Sequence, residues 1–477
     1  MYKQPSHRDP KNFKRPNRAP ATNSEPVTIG QRFPLTIKRL GINGEGIGYY
    51  KRKITFIPGA LPEEVVIAEV TEVHPKFLSA KIHKIRTASP SRVTPVDEFA
   101  GVVGGFDLEH LQYAEQLRFK TDVIAQALEK FKPASYTHYD LRPTIGMANP
   151  TAYRNKAQFP IRLVDGRLAV GMYKLGSHDL VDLPTVSTQH PTTMKVIRTI
   201  RALIEELNIP VYDETTNAGI IKTIIARIAE ATGEVQVTLV TNSKKLPNKG
   251  PLLAGIMAKL PMVTSISQNI NSGKSALIWG SETFLLAGKP FITETINGKQ
   301  FQLSPRAFLQ LNPAQTGRLY QEAITALALT KADKLVDAYS GVGTLGISLA
   351  HKAGEVRGMD TIAESIDDAN ANARLNGVKN AQYFVGAAED LIPQWVYNGW
   401  RPDALIVDPP RTGLDEALRD TILAVKPEKF VYISCNPSTL ARDLVDLTDV
   451  YTVDYIQSID MFPQTARVEA IVKFTRR

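Results

Sequence analysis

The stretch from Lys334 to Asp360, KLVDAYSGVGTLGISLAHKAGEVRGMD, decides how the chain folds. An apolar strand, KLVDAY, runs into a glycine turn, and the turn opens a helix, GTLGISLAHKAG, that leads to a second strand, EVRGMD. The pattern then recurs: SIDDANANARLNG reads as a helix, and AQYFVG, DALIVDPP, FVYISC and the terminal VEAIVKF read as strands. Such alternation predicts an α/β fold with a mainly parallel, doubly wound, Rossmann-like sheet. Ligands of these sheets sit beyond the carboxyl ends of the strands. Asp337, Asp360, Asp408 and Cys435 all fall at those ends.

Inside the turn, Gly341, Gly343 and Gly346 have the G-x-G-x-x-G spacing, which lets backbone approach a ligand closely. A dinucleotide fingerprint puts its first glycine at the strand end, whereas here Asp337 ends the strand four residues before Gly341. A carboxylate in that place repels a pyrophosphate and suits a cationic ligand. Asp360 closes the next strand, 23 residues after Asp337, where an acid accepts hydrogen bonds from ribose hydroxyls. A ribose and a sulfonium without a phosphate describe S-adenosylmethionine. The alternative is a purely structural glycine turn.

Further along, DPPRTG (Asp408 to Gly413) follows an apolar strand, and its two prolines fix a rigid turn that holds Asp408 at the strand tip. The next strand, KFVYIS, ends at Ser434-Cys435-Asn436-Pro437, which puts the only thiol of the chain at the same edge. A lone cysteine is usually buried and inert, but this placement favours a nucleophile.

The whole chain has 477 residues, room for about three domains at about 150 residues each. Apolar residues at 43% and charged residues at 22% disfavour wholesale disorder and a membrane-embedded class. No apolar run approaches the roughly 18 residues of a spanning helix, and the N-terminus has no secretory core, so the expected location is cytoplasmic. Fifty-seven Lys and Arg against 48 Asp and Glu leave a charge of +9, which favours a polyanionic partner such as nucleic acid. One cysteine excludes an intramolecular disulfide and a multi-cysteine metal cage built by this chain alone.

Upstream of the sheet three segments are distinct. Residues 1–26 hold six cations and five prolines and read as a disordered basic arm, either a solvated tail or a phosphate tether. Residues 27–87 carry five short alternating strands around the turn GINGEGIG, which suggests a small β-barrel. Lys38, Arg39, Lys51, Arg52, Lys53, Lys76, Lys81 and Lys84 supply the cations that RNA binding by this barrel needs. Residues 88–300 form a central α+β domain with a helix over 108–131, whose Leu111, Leu117, Val123 and Leu128 make an apolar face expected to pack on the catalytic domain. Strands are expected at VQVTLV, ALIWG and PFITETING, and a helix at TTMKVIRTIRALIEELN. Arg154, Lys156 and Arg162 read as RNA contacts or as surface charge. Residues 301–477 are the catalytic domain.

These residues resemble the uracil-C5 RNA methyltransferases that use S-adenosylmethionine. The resemblance rests on FLQLNP (Phe308 to Pro313), DAYSGVGT (Asp337 to Thr344), DPPRTGL (Asp408 to Leu414), SCNPSTLARDL (Ser434 to Leu444) and the terminal MFPQTARVEAIVKF, in that order. It implies a C-terminal class I methyltransferase domain, and it makes the barrel similar to the OB-like TRAM module. By this correspondence Cys435 is the nucleophile that adds to uracil C6, and Glu469 is the base that removes the C5 proton. Gln310, Tyr339, Asp360 and Asp408 would line the cofactor pocket with Asp337, Gly341 and Gly343. Phe308 would stack on a flipped-out uracil, with Asp408 and Arg411 also at the substrate. The sequence departs from many members in having Asp360 for Glu and Ser340 for Cys.

A larger departure concerns the iron–sulfur cluster of many members. Asp97, Val103 and Phe106 align with its first three ligands and Val186 with the fourth, so a cluster-free member is expected, with Val103, Phe106 and Val186 packing in its place. The implied substrate is 23S ribosomal RNA, at one or two uridines, because the enzymes for the tRNA T-loop commonly lack the barrel. Partners other than RNA are not evident, no membrane is involved, and a monomer is expected. The competing readings are a tRNA T-loop uridine methyltransferase, a cytosine-C5 methyltransferase, and an RNA-binding assembly factor that has lost catalysis.

Overall fold

In a computed structural model, residues 26–275 and 277–477 are described; the basic arm, but for its last residue, lies outside them. The C-terminal sheet has eight strands. From one edge they run Ala381–Val385, Glu355–Asp360, Lys334–Ala338, Ala404–Val407, Lys429–Ser434, Glu469–Arg476, Tyr451–Ile459 and Asp140–Ile145. The first five are mutually parallel, and Glu469–Arg476 is inserted antiparallel to both of its neighbours.

Burial on both faces explains the unbroken apolar runs in the centre of this sheet. Leu405, Val407, Phe430 and Tyr432 face one core, built with the helices Tyr113–Phe131, Glu416–Val425 and Pro437–Leu447. Ala404, Ile406, Val431 and Ile433 face the other, built with Pro313–Leu327, Thr344–Leu349 and Ala363–Leu375. The doubly wound α/β architecture is therefore as the sequence implies.

The segment taken as one central domain over 88–300 is corrected at both ends. Asp140–Ile145 is the edge strand of the C-terminal sheet, parallel to Tyr451–Ile459. The hairpin Ile292–Ile296 with Lys299–Leu303 spans the boundary placed at residue 300, and its apolar side chains join the second core of the catalytic sheet. Between these lies a seven-stranded sheet of Leu180–Asp182, Arg167–Tyr173, Lys156–Val164, Ile221–Ile228, Val235–Thr241, Val263–Ile270 and Glu282–Gly288, covered by the helix Pro191–Glu206. The described residues of ALIWG, 277–280, form no strand; the strand lies beyond them, at Glu282–Gly288.

The helix expected over 108–131 runs Tyr113–Phe131 and does pack on the catalytic core. Its buried face differs from the expected one. Gln116, Phe119, Lys120, Val123, Ile124, Ala127 and Leu128 are buried, while Leu117 is half-buried.

At the N-terminus a six-stranded sheet joins Arg32–Thr36, Val65–Val73, Phe77–Thr87, Lys53–Ile57, Gly46–Tyr50 and Arg39–Leu40 around its own apolar cluster. It docks on the catalytic core through Leu40 and Leu61, and Arg39 donates to Gln126 Oε1 at 2.6 Å. No helix among the described residues is long and apolar enough to cross a membrane.

Candidate active site

Strand alternation brings three of the candidate residues to one side of the sheet. Along Ala404–Val407 the even positions face the second core, along Lys429–Ser434 the odd ones do, and along Glu469–Arg476 Ile471 does. Continuing each alternation to the strand end puts Asp408, Cys435 and Glu469 on that same side. Register completes the arrangement. Ser434 pairs with Ala470, so the next step of the antiparallel ladder sets Cys435 opposite Glu469.

The turns that hold these groups are rigid. Asn436 caps the helix Pro437–Leu447, accepting from the Ser438 N–H at 3.1 Å, with Pro437 at the first helical position. Its amide also donates to the Arg411 carbonyl at 2.9 Å, which ties the Cys435 turn to the Asp408 turn. The same device recurs at Asn312-Pro313, where Asn312 caps the helix Pro313–Leu327 and donates to the Met461 carbonyl at 3.1 Å. This links the Phe308 segment to the loop ahead of Glu469.

Electrostatics in this corner disfavour charge. Glu469 is 2% exposed, and burial together with the Asp408 charge pushes its carboxyl well above the usual range, with Arg411 opposing. Burial likewise raises Asp408. The half-buried Cys435 thiol is pushed up to about 11 by burial, then by Glu469 and Asp408. A helix N-terminus favours a thiolate, but here burial and two acids outweigh it. The free site therefore holds its thiol protonated beside carboxyls of unusually high proton affinity.

A cleft of about 550 Å³ opens at the carboxyl ends of the neighbouring strands, lined by Tyr339, Asp360, Glu389, Pro410, Leu414 and Arg442 among others. Tyr339, which lines the cleft, has a φ of +64°, a strained backbone position for a residue other than glycine. Asp360 accepts from the Gly341 N–H at 3.1 Å and the Ile362 N–H at 2.9 Å. Gly343 precedes the first turn of the helix Thr344–Leu349. Asp337 does not line the cleft. Its carboxylate is buried and accepts from the Gly346 N–H at 2.8 Å, and burial pushes it up to about 7, so it shapes the glycine turn from behind. Gln310 is 8% exposed, and neither it nor Asp408 lines the cleft. Phe308 stands 63% exposed between the buried Ala307 and Leu309.

Comparison with known proteins bears on the family and the fold. A family model described as tRNA (Uracil-5-)-methyltransferase matches residues 280–477, and a TRAM domain model matches residues 26–83. An RNA methyltransferase of Lactiplantibacillus plantarum is 65% identical over 94% of each chain, and one of Enterococcus faecalis is 53% identical over 94% of this chain and 99% of its own. The chain belongs to the RNA (uracil-5-)-methyltransferase family. Among solved structures, the tRNA (uracil-54, C5)-methyltransferase of Pyrococcus abyssi, in complex with S-adenosyl-L-homocysteine, superimposes with a TM-score of 0.74 at 28% identity, covering 93% of this chain and all of its own.

Within this RNA (uracil-5-)-methyltransferase, the positions aligned with iron–sulfur ligands do not fit a cluster. Val103, Phe106 and Val186 carry no ligating atom and are buried in one apolar cluster. Asp97 instead accepts from the Phe99 N–H at 2.9 Å and the Ser187 N–H at 2.6 Å, joining the two segments through backbone hydrogen bonds.

Several residues that shape the site escaped the sequence. Asp443, buried in the helix Pro437–Leu447, accepts from the Leu414 N–H at 2.9 Å and from Tyr432 at 2.8 Å, and so fixes one wall of the cleft. Gly413, at a φ of +76°, leaves no room for a side chain beside it, since a Cβ would come within 2.6 Å of Asp443 Oδ2. Tyr113, Gln116 and Lys120 hold the loop ahead of Glu469 from the far side. Of the cations assigned to RNA contact, Lys81 pairs with Glu69 and Arg162 with Glu214.

Proposed function

We propose that the protein transfers a methyl group from S-adenosylmethionine to C5 of uridine in 23S ribosomal RNA, in the cytoplasm, through a transient Cys435 adduct. The observation that carries this reading is the facing of Cys435 and Glu469 across one strand pair, with Asp408 on the neighbouring strand.

Uracil C5 is a poor nucleophile. The Cys435 sulfur bonds to C6, its proton passes to a neighbouring carboxylate, and the C5–C6 electron pair moves toward O4. S-adenosylmethionine, when bound, supplies the methyl group that C5 then takes. Glu469 accepts the C5 proton, the electrons re-form the C5–C6 double bond, and the C6–S bond breaks to return the thiol. Burial serves the proton abstraction, because a desolvated Glu469 carboxylate, in its ionised form, has a raised proton affinity and so is a stronger base than a solvated one. In this reading Tyr339 and Asp360 hold the cofactor in the cleft, next to the Gly341–Gly343 turn whose Gly341 N–H donates to Asp360, and Gln310 reaches the cofactor only from outside the cleft lining, while Phe308 stacks on the target base beside Asp408 and Arg411.

A tRNA uridine is the second reading, and one observation favours it. Superposition on the Pyrococcus tRNA enzyme covers 93% of this chain, so it runs into the barrel, and the barrel does not by itself separate the two substrates. Exposed barrel cations, among them Lys38, Arg52, Lys76 and Lys84, support a large RNA. Base-resolved mapping of 5-methyluridine in ribosomal and transfer RNA from wild-type and deletion strains tests this. Loss of the base from 23S ribosomal RNA alone is the expected result; loss from tRNA alone overturns it.

A further inference from the structure

A cavity of about 270 Å³ lies beside the central sheet, bordered by Gly104, Gly105, Arg154, Lys156, Gln189 and Leu311 among others. Its charge is one-sided: the lining holds two cations and no carboxylate. Lys156 has no hydrogen-bond or ion-pair partner among the described residues, and the Nε of Arg154 is buried without one. Burial, then the charges of Arg227 and Arg154, draw the Lys156 ammonium down to about 7. Gln189, 7% exposed, also leaves its Oε1 unpartnered; rotating the amide by half a turn presents an NH₂ in its place. Gly105, at a φ of +95° with open space where a Cβ would stand, leaves the backbone accessible.

Desolvated cations and donors without partners cost stability, and a protein recovers that cost when an anion arrives. The location says which anion. Asn155, between Arg154 and Lys156, donates its N–H to the Leu311 carbonyl at 2.9 Å. Arg227, behind them, donates to the Ala307 carbonyl at 2.6 Å. These two bonds bracket Phe308, the exposed ring proposed to stack on the target base.

We propose that this cavity binds a phosphodiester of the RNA strand next to the target uridine, with Lys156 and Arg154 as its cationic contacts. The proposal rests on the reading of Phe308 as the uridine platform. Planar Arg154 offers a forked contact to phosphate oxygens and Lys156 a point charge, so the two are not interchangeable.

The test measures equilibrium binding of in vitro transcribed 23S ribosomal RNA and unmodified tRNA over a salt series, in a Cys435→Ala background where no turnover occurs. Lys156→Met and Arg154→Met are each expected to weaken the better-bound RNA about tenfold and to lower the salt slope by about one, as loss of one phosphate contact does. Lys156→Arg should retain the slope. Thermal unfolding separates a structural role: Lys156→Met should melt no lower than its parent, because it removes an unpaired desolvated charge. Unchanged affinity and slope overturn the proposal, as does a fall in melting temperature that accompanies the loss of binding. Should wild-type protein methylate no uridine while the Lys156-dependent slope persists, the methylation reading falls and the phosphate site stands.

Discussion

Lys120 and Asp460 form an ion pair in which neither side chain reaches solvent. Tyr113 donates to the other oxygen of the same carboxylate at 2.9 Å, and Lys120 donates also to the Phe462 carbonyl at 2.9 Å. Gln116 exchanges hydrogen bonds with Gln464. One helix thus grips the loop that leads into Glu469. Removing one member of such a pair leaves the other charged and buried, at a cost of about 3–5 kcal/mol. Lys120→Met should lose that much in denaturant unfolding, and the double variant Lys120→Met, Asp460→Leu should recover most of it.

Glu469 links stability to pH. Its folded-state proton affinity lies above that of the unfolded chain, whose glutamates titrate near ~4.3. The folded state therefore holds the proton more tightly. Wild-type stability is greatest below the unfolded value and declines as pH rises through the window up to the raised one. Glu469→Gln does not titrate there, so its melting temperature should gain on wild type as pH increases from 4 toward neutrality. The two curves running parallel would contradict this.

Asp443 tests the cleft wall. Alanine there orphans the Leu414 N–H and the Tyr432 hydroxyl and unpairs Arg442, which lies 2.7 Å from the carboxylate. A loss of about 3 kcal/mol in stability is expected, with weaker S-adenosylmethionine binding by calorimetry. Asp443→Asn keeps one acceptor oxygen and should lose less of both.

Phe308 makes the opposite prediction. As an exposed side chain it contributes little to the fold, so Phe308→Ala should leave the melting temperature nearly unchanged, within about 0.5 kcal/mol. Base stacking on an aromatic is worth about 1–3 kcal/mol, so methyl transfer to RNA should fall at least about fivefold. The assay is radiolabelled methyl incorporation at sub-saturating RNA.

Much of the catalytic sheet was legible because its strands are buried on both faces and read as apolar runs closed by Asp408 or Cys435. The positions of those residues at strand ends followed directly. Their partnership with Glu469 did not, since it depends on a long-range antiparallel insertion between strands 429–434 and 451–459. Edge strand Asp140–Ile145 was missed because DLRPTI carries charge and a proline, which an edge tolerates. ALIWG misled for the reverse reason: its described residues, 277–280, are largely apolar but belong to no strand. On the helix Tyr113–Phe131, apolar spacing picked out Leu117, while the burial of polar Gln116 and Lys120 follows from partners 348 and 340 residues away in the chain.

Covalent capture tests the central claim most directly. Protein mixed with 5-fluorouridine-substituted 23S ribosomal RNA and S-adenosylmethionine should form a denaturation-stable RNA adduct, since fluorine cannot leave C5 as a proton does, and mass spectrometry should place the bond on Cys435. An adduct that persists in Cys435→Ala, or methyl transfer by Cys435→Ser at the wild-type rate, would contradict the account.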